Sequence, residues 1–191
     1  EHLRQSFAKG EGALFGFGPN ADFKDSAMNI AYVAQAGLGL PDKGYYFDAD
    51  KKKERDAYEL HIAKVLELSG VAAADATEQA KAVIAFETRL AKASKSSEEL
   101  SRDVSLYYNP VSVEEADKKT PNFPWSKFFA AQGIATPKMF SMAIPGFHAE
   151  FDKMLADTPV ANWKSYLRFH TVDGASPFLS KAFVEENFNF Y

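Results

Sequence analysis

Hydrophobic residues near the start of the chain recur with a period of two. Large and small residues alternate over Ala13–Gly18 and again over Met28–Val33, and the turn-forming sequence Pro19–Asp22 separates the two segments. Such alternation is typical of half-buried strands, so residues 13–36 are predicted to form a β-hairpin. A helix over the second segment is the alternative, because Met and Ala also favour helices.

After Pro41 the apolar residues recur at helical spacing, so most of the remaining chain is predicted to be α-helical. A first long helix is predicted to begin at Asp48 or Asp50 and to end near Gly70, which suits the left-handed position after a helix. Its buried face is predicted to carry Ala57, His61, Val65 and Leu68.

A second long helix is predicted from Asp75 or Thr77 to about Ala93. Its spacing indicates one buried stripe, formed by Val83, Phe86 and Leu90.

Capping residues mark the starts of the later helices. Ser112 begins a Ser-Val-Glu-Glu capping box, and Thr158 and Ser176 are predicted N-caps of the last two helices. Residues 133–145 are predicted to be irregular or briefly extended. Four prolines are predicted to lie at the first position of a helix, where the backbone N–H has no partner within the helix. They are Pro124, Pro145, Pro159 and Pro177.

The predicted fold class is therefore mainly α, a multi-helix lobe with a small N-terminal β-hairpin. A chain of 191 residues is the length of one domain, and no internal repeat or Ser/Gly-rich linker divides it. Residues 1–191 are thus predicted to form a single lobe. The chain begins with Glu and ends with the aromatic run Asn187–Tyr191, so both ends are expected to be cut points in a longer protein.

Charge and composition exclude several classes of partner. The net charge of -4 provides no positive field for nucleic acid, and Lys51–Lys53 is followed by mixed charges, as at the solvated start of a helix. No apolar run is long enough for a membrane span. Cysteine is absent, which excludes disulfides, thiolate metal sites and cysteine nucleophiles.

The candidate metal ligands do not form a zinc motif. None of the four histidines, His2, His61, His148 and His170, has a second His one helical turn away, as an H-E-x-x-H motif requires. His61 and His170 are interpreted as hydrogen-bonded core histidines. No metal site is predicted in this chain.

Other catalytic chemistry is equally unsupported. Glu98-Glu99, Glu114-Glu115 and Glu185-Glu186 diverge on a helix and are interpreted as solvated surface. No serine stands in a G-x-S-x-G turn, and the glycines do not form a phosphate-binding loop. No catalytic residue is predicted in this chain.

Aromatic residues provide the remaining candidate binding surfaces. The stripe formed by Phe123, Trp125, Phe128 and Phe129 has helical spacing, which favours core packing over a ligand platform. The pairs Tyr45-Tyr46 and Tyr107-Tyr108 are expected to line a wet cavity or to reach the surface with their hydroxyls.

One segment resembles a known family. The sequence QAGLGLPD followed by a Tyr pair resembles the Q-x-G-L-G-L-P-D-x-x-Y-Y signature of the N-terminal portion of neprilysin-like zinc metalloendopeptidases, a family that includes bacterial oligopeptidases. Further segments follow in the family's order, among them Phe86–Ala91, Trp163–His170 and Phe188–Tyr191. The signature positions, expected to be structural, are Gln35, Gly37, Leu38, Gly39, Leu40, Pro41, Asp42, Tyr45 and Tyr46.

The resemblance implies a zinc peptidase with two mostly helical lobes around a cavity. The zinc-binding H-E-x-x-H helix of such an enzyme would lie beyond Tyr191, in a C-terminal catalytic lobe that is the expected partner of this chain. This chain then corresponds to the facing, non-catalytic lobe, which walls the cavity and admits short peptides. The signature turn is expected to hold the hairpin against the first long helix.

The absence of Cys differs from the disulfide-bonded animal members and points to a bacterial protein that is periplasmic or secreted. The alternative function is a stand-alone helical binding module without enzymatic activity. An independent hydrolase would require motifs that this sequence lacks.

Overall fold

The computed structural model describes residues 2–10 and 12–191. Helices predominate, and two N-terminal strands form a hairpin, so the predicted fold class is confirmed. The Cα positions form two compact units, Glu1–Gly37 with Ala93–Asp157 and Leu38–Lys92 with Thr158–Tyr191. The organisation of residues 1–191 as a single lobe stays a prediction.

The helices and strands follow one another closely along the chain. The α-helices are α1 His2–Ala8, α2 Lys52–Leu68, α3 Ala73–Ala93, α4 Ser97–Arg102, α5 Val113–Lys119, α6 Trp125–Ala131, α7 Pro145–Asp157, α8 Val160–Ala175 and α9 Lys181–Phe190. The strands are β1 Phe15–Ala21, β2 Asn29–Gln35, β3 Pro110–Ser112 and β4 Met139–Met142. Short 3-10 helices cover Lys43–Tyr46, Ala49–Lys51, Val104–Tyr107 and Ser176–Phe178.

The first unit is built on a four-stranded sheet with the order β1-β2-β4-β3. β1 and β2 are antiparallel, with Phe15 opposite Gln35 and Ala21 opposite Asn29. β4 runs parallel to β2 and antiparallel to β3. The hairpin is thus one half of a larger sheet, because the extended segment within residues 133–145 pairs with it.

Aromatic rings fill the core of the first unit. Phe15 lies against Phe7 with ring centroids 4.4 Å apart and against Trp125 at 5.3 Å. All four rings of the predicted stripe on and beside α6 are buried, which confirms their interpretation as core. The contact with Phe7 is stacked and that with Trp125 is edge-to-face, and both kinds stabilise a core beyond the apolar area that they bury.

The second unit packs α2 against α8 and α9. Val83, Phe86 and Leu90 of α3 are buried as predicted. Two of the four residues predicted on the buried face of α2, His61 and Val65, are buried. The prediction was wrong at Ala57, which is exposed, and at Leu68, which is only partly buried. The buried residues of α2 are Tyr58, His61, Ile62, Val65 and Leu66.

Several predicted helix ends are confirmed. The Ser112 hydroxyl accepts a hydrogen bond from the backbone N–H of Glu115, and α7 begins at Pro145. Gly70 follows α2 with φ +94°, the left-handed conformation expected after a helix.

The predicted N-caps of the last two helices were wrong. Pro159 is the N-cap of α8, and its carbonyl accepts hydrogen bonds from Asn162 and Trp163. Ser176 is instead the C-cap of α8, and its hydroxyl donates a hydrogen bond to the carbonyl of Val172. Ser180 is the N-cap of α9. No helix in the described part of the chain is long and apolar enough to cross a membrane.

Candidate functional site

The signature segment enters the second unit as a loop followed by a short 3-10 helix. The Asp42 carboxylate accepts a hydrogen bond from the Gly44 N–H at 3.1 Å and caps that helix. This turn directs the side chain of Tyr46 inward, where 5% of the residue is exposed. The Tyr46 hydroxyl accepts the backbone N–H of Leu40 at 3.1 Å, so the loop closes on itself.

Glu87 of α3 lies at the centre of this loop and is fully buried. Its Oε2 accepts hydrogen bonds from the Tyr46 hydroxyl at 2.5 Å and from the Gly39 N–H at 3.1 Å. Its Oε1 accepts one from the Tyr58 hydroxyl at 2.9 Å and lies 2.7 Å from Nε2 of His170. We call these five residues the Glu87 network.

The hydroxyls of the Glu87 network are held neutral. Burial, followed by the nearby Glu87 charge, raises the pKa of Tyr46 well above its usual range. The same two causes, in the same order, raise the pKa of Tyr58. Both tyrosines therefore keep their protons and act as hydrogen-bond donors to the carboxylate.

Gly39 is sterically required at its position. A Cβ atom built on Gly39 would lie 1.7 Å from Oη of Tyr58 and 2.4 Å from its Cζ. The backbone therefore approaches the ring as only glycine allows. This close approach brings the Gly39 N–H to Glu87.

The other signature residues are spread around the loop. Gln35, in the first unit, bonds both backbone groups of Lys95, through Nε2 at 2.7 Å and Oε1 at 2.6 Å. Gly37 has φ +88°, a conformation that favours glycine. Leu40 is buried, Leu38 is partly exposed and Pro41 is exposed.

The two signature tyrosines lie in different environments. Their hydroxyls were expected to line a wet cavity or to reach the surface, and this expectation was wrong for Tyr46. The ring of Tyr45 lies under the Lys51 ammonium, 5.1 Å from the ring centroid, and its carbonyl accepts a hydrogen bond from Arg55 at 2.7 Å. Tyr46 instead donates to the buried Glu87. The Tyr46 hydroxyl is thus part of the core.

A second polar cluster joins α2, α8 and α9. His61 is buried, with Nε2 3.0 Å from Oδ1 of Asp173 and Nδ1 2.8 Å from Oε1 of Glu186. The Tyr191 hydroxyl donates to Oδ2 of Asp173 at 2.9 Å, and the His61 ring stacks on Phe190 at 4.2 Å. The interpretation of His61 as a hydrogen-bonded core histidine is confirmed.

The histidine in the first unit has a different environment. His148 is fully buried among rings that include Trp125 and Phe147. Neither ring nitrogen makes a hydrogen bond of ordinary geometry with the described residues. Burial lowers the pKa of His148 to about 4, although the nearby backbone of Val33 and Ala143 favours the charged form.

The zinc ion, which the resemblance places beyond Tyr191, has no binding site among the described residues. Across residues 2–10 and 12–191, no group of three or more His, Cys, Asp or Glu side chains is arranged to hold a metal ion. Both ring nitrogens of His61 already face carboxylates, and Nε2 of His170 faces Glu87. A zinc site needs several donors that converge on one point.

Comparison with known proteins decides the family. The model described as peptidase family M13, in its N-terminal part, matches residues 2–191. The chain belongs to peptidase family M13. Among curated relatives, "Endothelin-converting enzyme-like 1" of Rattus norvegicus is 29% identical over 180 residues, 91% of this chain and 23% of the relative. "Neutral endopeptidase" of Lactobacillus helveticus is 27% identical over 92% of this chain and 27% of its own length.

A solved zinc metalloprotease structure shares the fold. The zinc metalloprotease ZMP1 of Mycobacterium tuberculosis in its open state is 30% identical to this chain, with a TM-score of 0.92. That match covers 99% of this chain and 30% of ZMP1. The M13 chain described here therefore spans about a quarter to a third of the length of the relatives that it matches.

Sequence reasoning missed Glu87, the residue at the centre of the loop. Glu87 falls within the apolar stripe of α3, between Val83 and Leu90, where a charged residue is unexpected unless it is paired. A charged residue within an apolar stripe was therefore the sequence feature that could have indicated a buried, paired Glu87. Glu186 was also misjudged as solvated surface, because its partner His61 is 125 positions away in the sequence.

Proposed function

We propose that this chain is the non-catalytic lobe of a neprilysin-like zinc metalloendopeptidase. In this proposal it encloses one side of a cavity and restricts access to short peptides. Peptide hydrolysis is carried out by a C-terminal lobe that holds zinc through an H-E-x-x-H helix and a further Glu. When bound there, the zinc ion supplies Lewis-acid activation of water and of the peptide carbonyl.

The match of residues 2–191 to the N-terminal part of the M13 model carries this proposal. The similarity to about 30% of a protein described as a zinc metalloprotease gives further support. In the described part of the chain no group of three or more His, Cys, Asp or Glu side chains could hold a metal ion, and the proposal places the zinc site elsewhere in the polypeptide. Catalysis then requires both parts.

Within this lobe, we assign a structural role to the signature from Gln35 to Tyr46. The loop delivers one N–H and one hydroxyl to the buried Glu87 carboxylate, and two further side chains complete its coordination. A buried charge is tolerated only when it is paired and hydrogen-bonded. The signature thus fixes the path of the loop rather than contacting substrate.

The size restriction can be tested with this chain and the separately expressed C-terminal part of the same gene product. We expect the zinc-supplied mixture to cleave a short fluorogenic peptide and to leave the same sequence intact when it lies in a surface loop of a large folded protein. The C-terminal part alone is the matched control. Equal cleavage of both substrates by the mixture would contradict the proposed restriction.

The gene itself offers a simpler test. The proposal requires an H-E-x-x-H motif in the sequence that follows this region. A gene without that motif would contradict it and favour a stand-alone helical binding module.

We also propose an extracytoplasmic location, periplasmic or secreted, which fractionation of the source cells would test by the presence of the protein outside the cytoplasm.

A further inference from the structure

Exposed apolar side chains are concentrated around the last helix of the second unit. Among the described residues, five of the thirteen large hydrophobic side chains that are exposed lie between positions 178 and 191. Phe188 is 84% exposed, and Phe178, in the 3-10 helix that packs on α9, is 88% exposed. Single exposed hydrophobic residues are common on protein surfaces, but a cluster of them is typical of an interaction surface.

One outward face of α9 is apolar. Val184, Phe188 and Tyr191 lie four and three positions apart, so the helical repeat brings them into one row, which we call the α9 stripe. All three side chains are exposed. The other outward face carries Glu185 and Asn189, which are also exposed. A helix that faced only water on its outer side would be polar on both of these faces, so the α9 stripe is suited to contact.

The inner face of α9 fixes the direction of the α9 stripe. Oε1 of Glu186 lies 2.8 Å from Nδ1 of the buried His61, and the Phe190 ring stacks on the same imidazole at 4.2 Å. The Tyr191 hydroxyl donates to Oδ2 of Asp173 at 2.9 Å. A rotation of α9 that buried the stripe would break these hydrogen bonds, which costs free energy. The stripe is therefore held outward by contacts to α2 and α8.

The charges beside the α9 stripe do not favour an ionic partner. Nζ of Lys181 lies 3.4 Å from Oε1 of Glu185, so the two charges offset each other. Within α9, all of which the structure describes, Lys181 is the only cation. Binding to anionic lipid or to nucleic acid depends on several clustered cations. The surface therefore fits a partner that supplies apolar side chains, because contact with them removes the Phe188 ring from water.

Most of the polypeptide of each relative lies outside the match to this chain. The chain covers 23% of endothelin-converting enzyme-like 1 and 30% of ZMP1. The proposed function places the remaining polypeptide, with its zinc-binding helix, after Tyr191. Since Tyr191 belongs to the α9 stripe, the segment that follows it is attached directly to this surface. Consecutive elements are usually neighbours in space, and a tethered segment is present at a high effective concentration.

We propose that the α9 stripe is the docking surface for the segment that directly follows Tyr191 in the parent polypeptide. That segment packs an apolar face against Val184, Phe188 and the ring of Tyr191, and it leaves Glu185 and Asn189 in contact with water. The identity of this occupant rests on the proposed function, because that function places the catalytic part after Tyr191. A second copy of this chain is the competing occupant.

Thiol labelling tests the proposal directly, because this chain contains no Cys. Val184→Cys keeps a side chain of similar size in the α9 stripe, and Asn189→Cys is the control on the polar face. Each is made in this chain and in the full parent polypeptide, with any cysteines of the remainder replaced by Ser. From chain to parent, the rate of labelling with a maleimide should fall about tenfold or more at position 184 and stay unchanged at position 189.

A second substitution tests whether the stripe itself holds the segment. Phe188→Asp, added to the Val184→Cys parent, should restore labelling by about tenfold, because a charge against an apolar surface opposes docking. Asn189→Asp adds the same charge on the polar face and should leave position 184 protected. Since Phe188 is 84% exposed, Phe188→Asp should leave the melting temperature of this chain unchanged, which separates lost docking from lost folding.

Three results would overturn the proposal. Equal labelling of position 184 in this chain and in the parent would show that the segment does not cover the stripe. Equal protection of positions 184 and 189 would show burial of the whole helix instead of one face. Protection of position 184 in this chain alone, increasing with its concentration, would assign the surface to a second copy.

The labelling needs neither zinc nor peptide cleavage, so its outcome is distinguishable from that of the proposed function. A parent polypeptide without peptidase activity that protected position 184 would contradict the proposed function and support the docking surface. An active zinc peptidase in which position 184 reacted freely would overturn the docking surface alone.

Discussion

The two units of the chain are organised around opposite kinds of centre. In the first unit, Phe15 is surrounded by other rings, and the buried His148 among them lacks a hydrogen bond of ordinary geometry from the described residues. In the second, the buried carboxylate of Glu87 is surrounded by donors from several elements. The first core is stabilised by the packing of apolar rings, and the second by hydrogen bonds between buried polar groups.

This difference shows which substitutions should destabilise each unit. An aromatic core is less sensitive to the loss of a polar atom, because contacts between rings do not require hydrogen bonds. A buried carboxylate makes every donor around it dependent on the others, since an unsatisfied buried group costs free energy. Polar substitutions should therefore distinguish the units sharply.

The largest effect is expected for Glu87→Ala. Removal of the carboxylate leaves the hydroxyls of Tyr46 and Tyr58 and the N–H of Gly39 without their acceptor, so the free energy of unfolding should fall by about 3–5 kcal/mol. Urea unfolding followed by circular dichroism measures this change. Glu78→Ala, on the exposed side of the same helix, is the control and should change stability by less than about 0.5 kcal/mol. Equal losses in both variants would contradict the account.

A pH effect of somewhat smaller size is expected from His148. Its pKa is lowered from 6.5 to about 4 in the folded protein, so the unfolded chain binds more protons between these values. The stability contributed by the neutral ring is present above pH 6.5 and is lost as the pH falls toward 4, by about 3 kcal/mol.

The measurement compares the pH dependence of unfolding in the wild type and in His148→Phe, which keeps a ring but removes the titrating nitrogens. The variant should lose less stability than the wild type over this window. Identical pH dependence in the two proteins would show that His148 is not a buried neutral group.

Gly39→Ala should destabilise the protein by about 2–3 kcal/mol through overpacking against Tyr58. Gly146→Ala, in open space on α7, should instead stabilise it by roughly 0.5–1 kcal/mol through helix propensity. Thermal unfolding of the two variants compares them directly. The same sign for both would contradict the steric role assigned to Gly39.

The smallest predicted change distinguishes the two signature tyrosines. Tyr46→Phe removes a donor to Glu87 and the acceptor of the Leu40 N–H, so it should cost about 1–2 kcal/mol. Tyr45→Phe should stay within about 0.5 kcal/mol of the wild type, because its contacts use the ring and the backbone. Chemical denaturation resolves this difference, and equal losses would place Tyr45 in the network as well.

Local patterns predicted the fold class, the hairpin and the buried stripe of α3, because strand alternation and helical spacing are properties of nearby residues. They did not predict that β4 extends the hairpin, since pairing over more than 100 positions leaves no local trace. For the same reason the partners of Glu87 were missed. Its donors come from residues 39, 46, 58 and 170, which only the tertiary fold brings together.

The central proposal is that this M13 chain completes a zinc peptidase without holding the catalytic zinc itself. The most direct measurement is the rate of peptide cleavage by an equimolar mixture of this chain and the C-terminal part, with zinc supplied, against each part alone. The account predicts cleavage in the mixture that a chelator abolishes, and none by this chain alone. Cleavage by this chain alone at the rate of the mixture would contradict it.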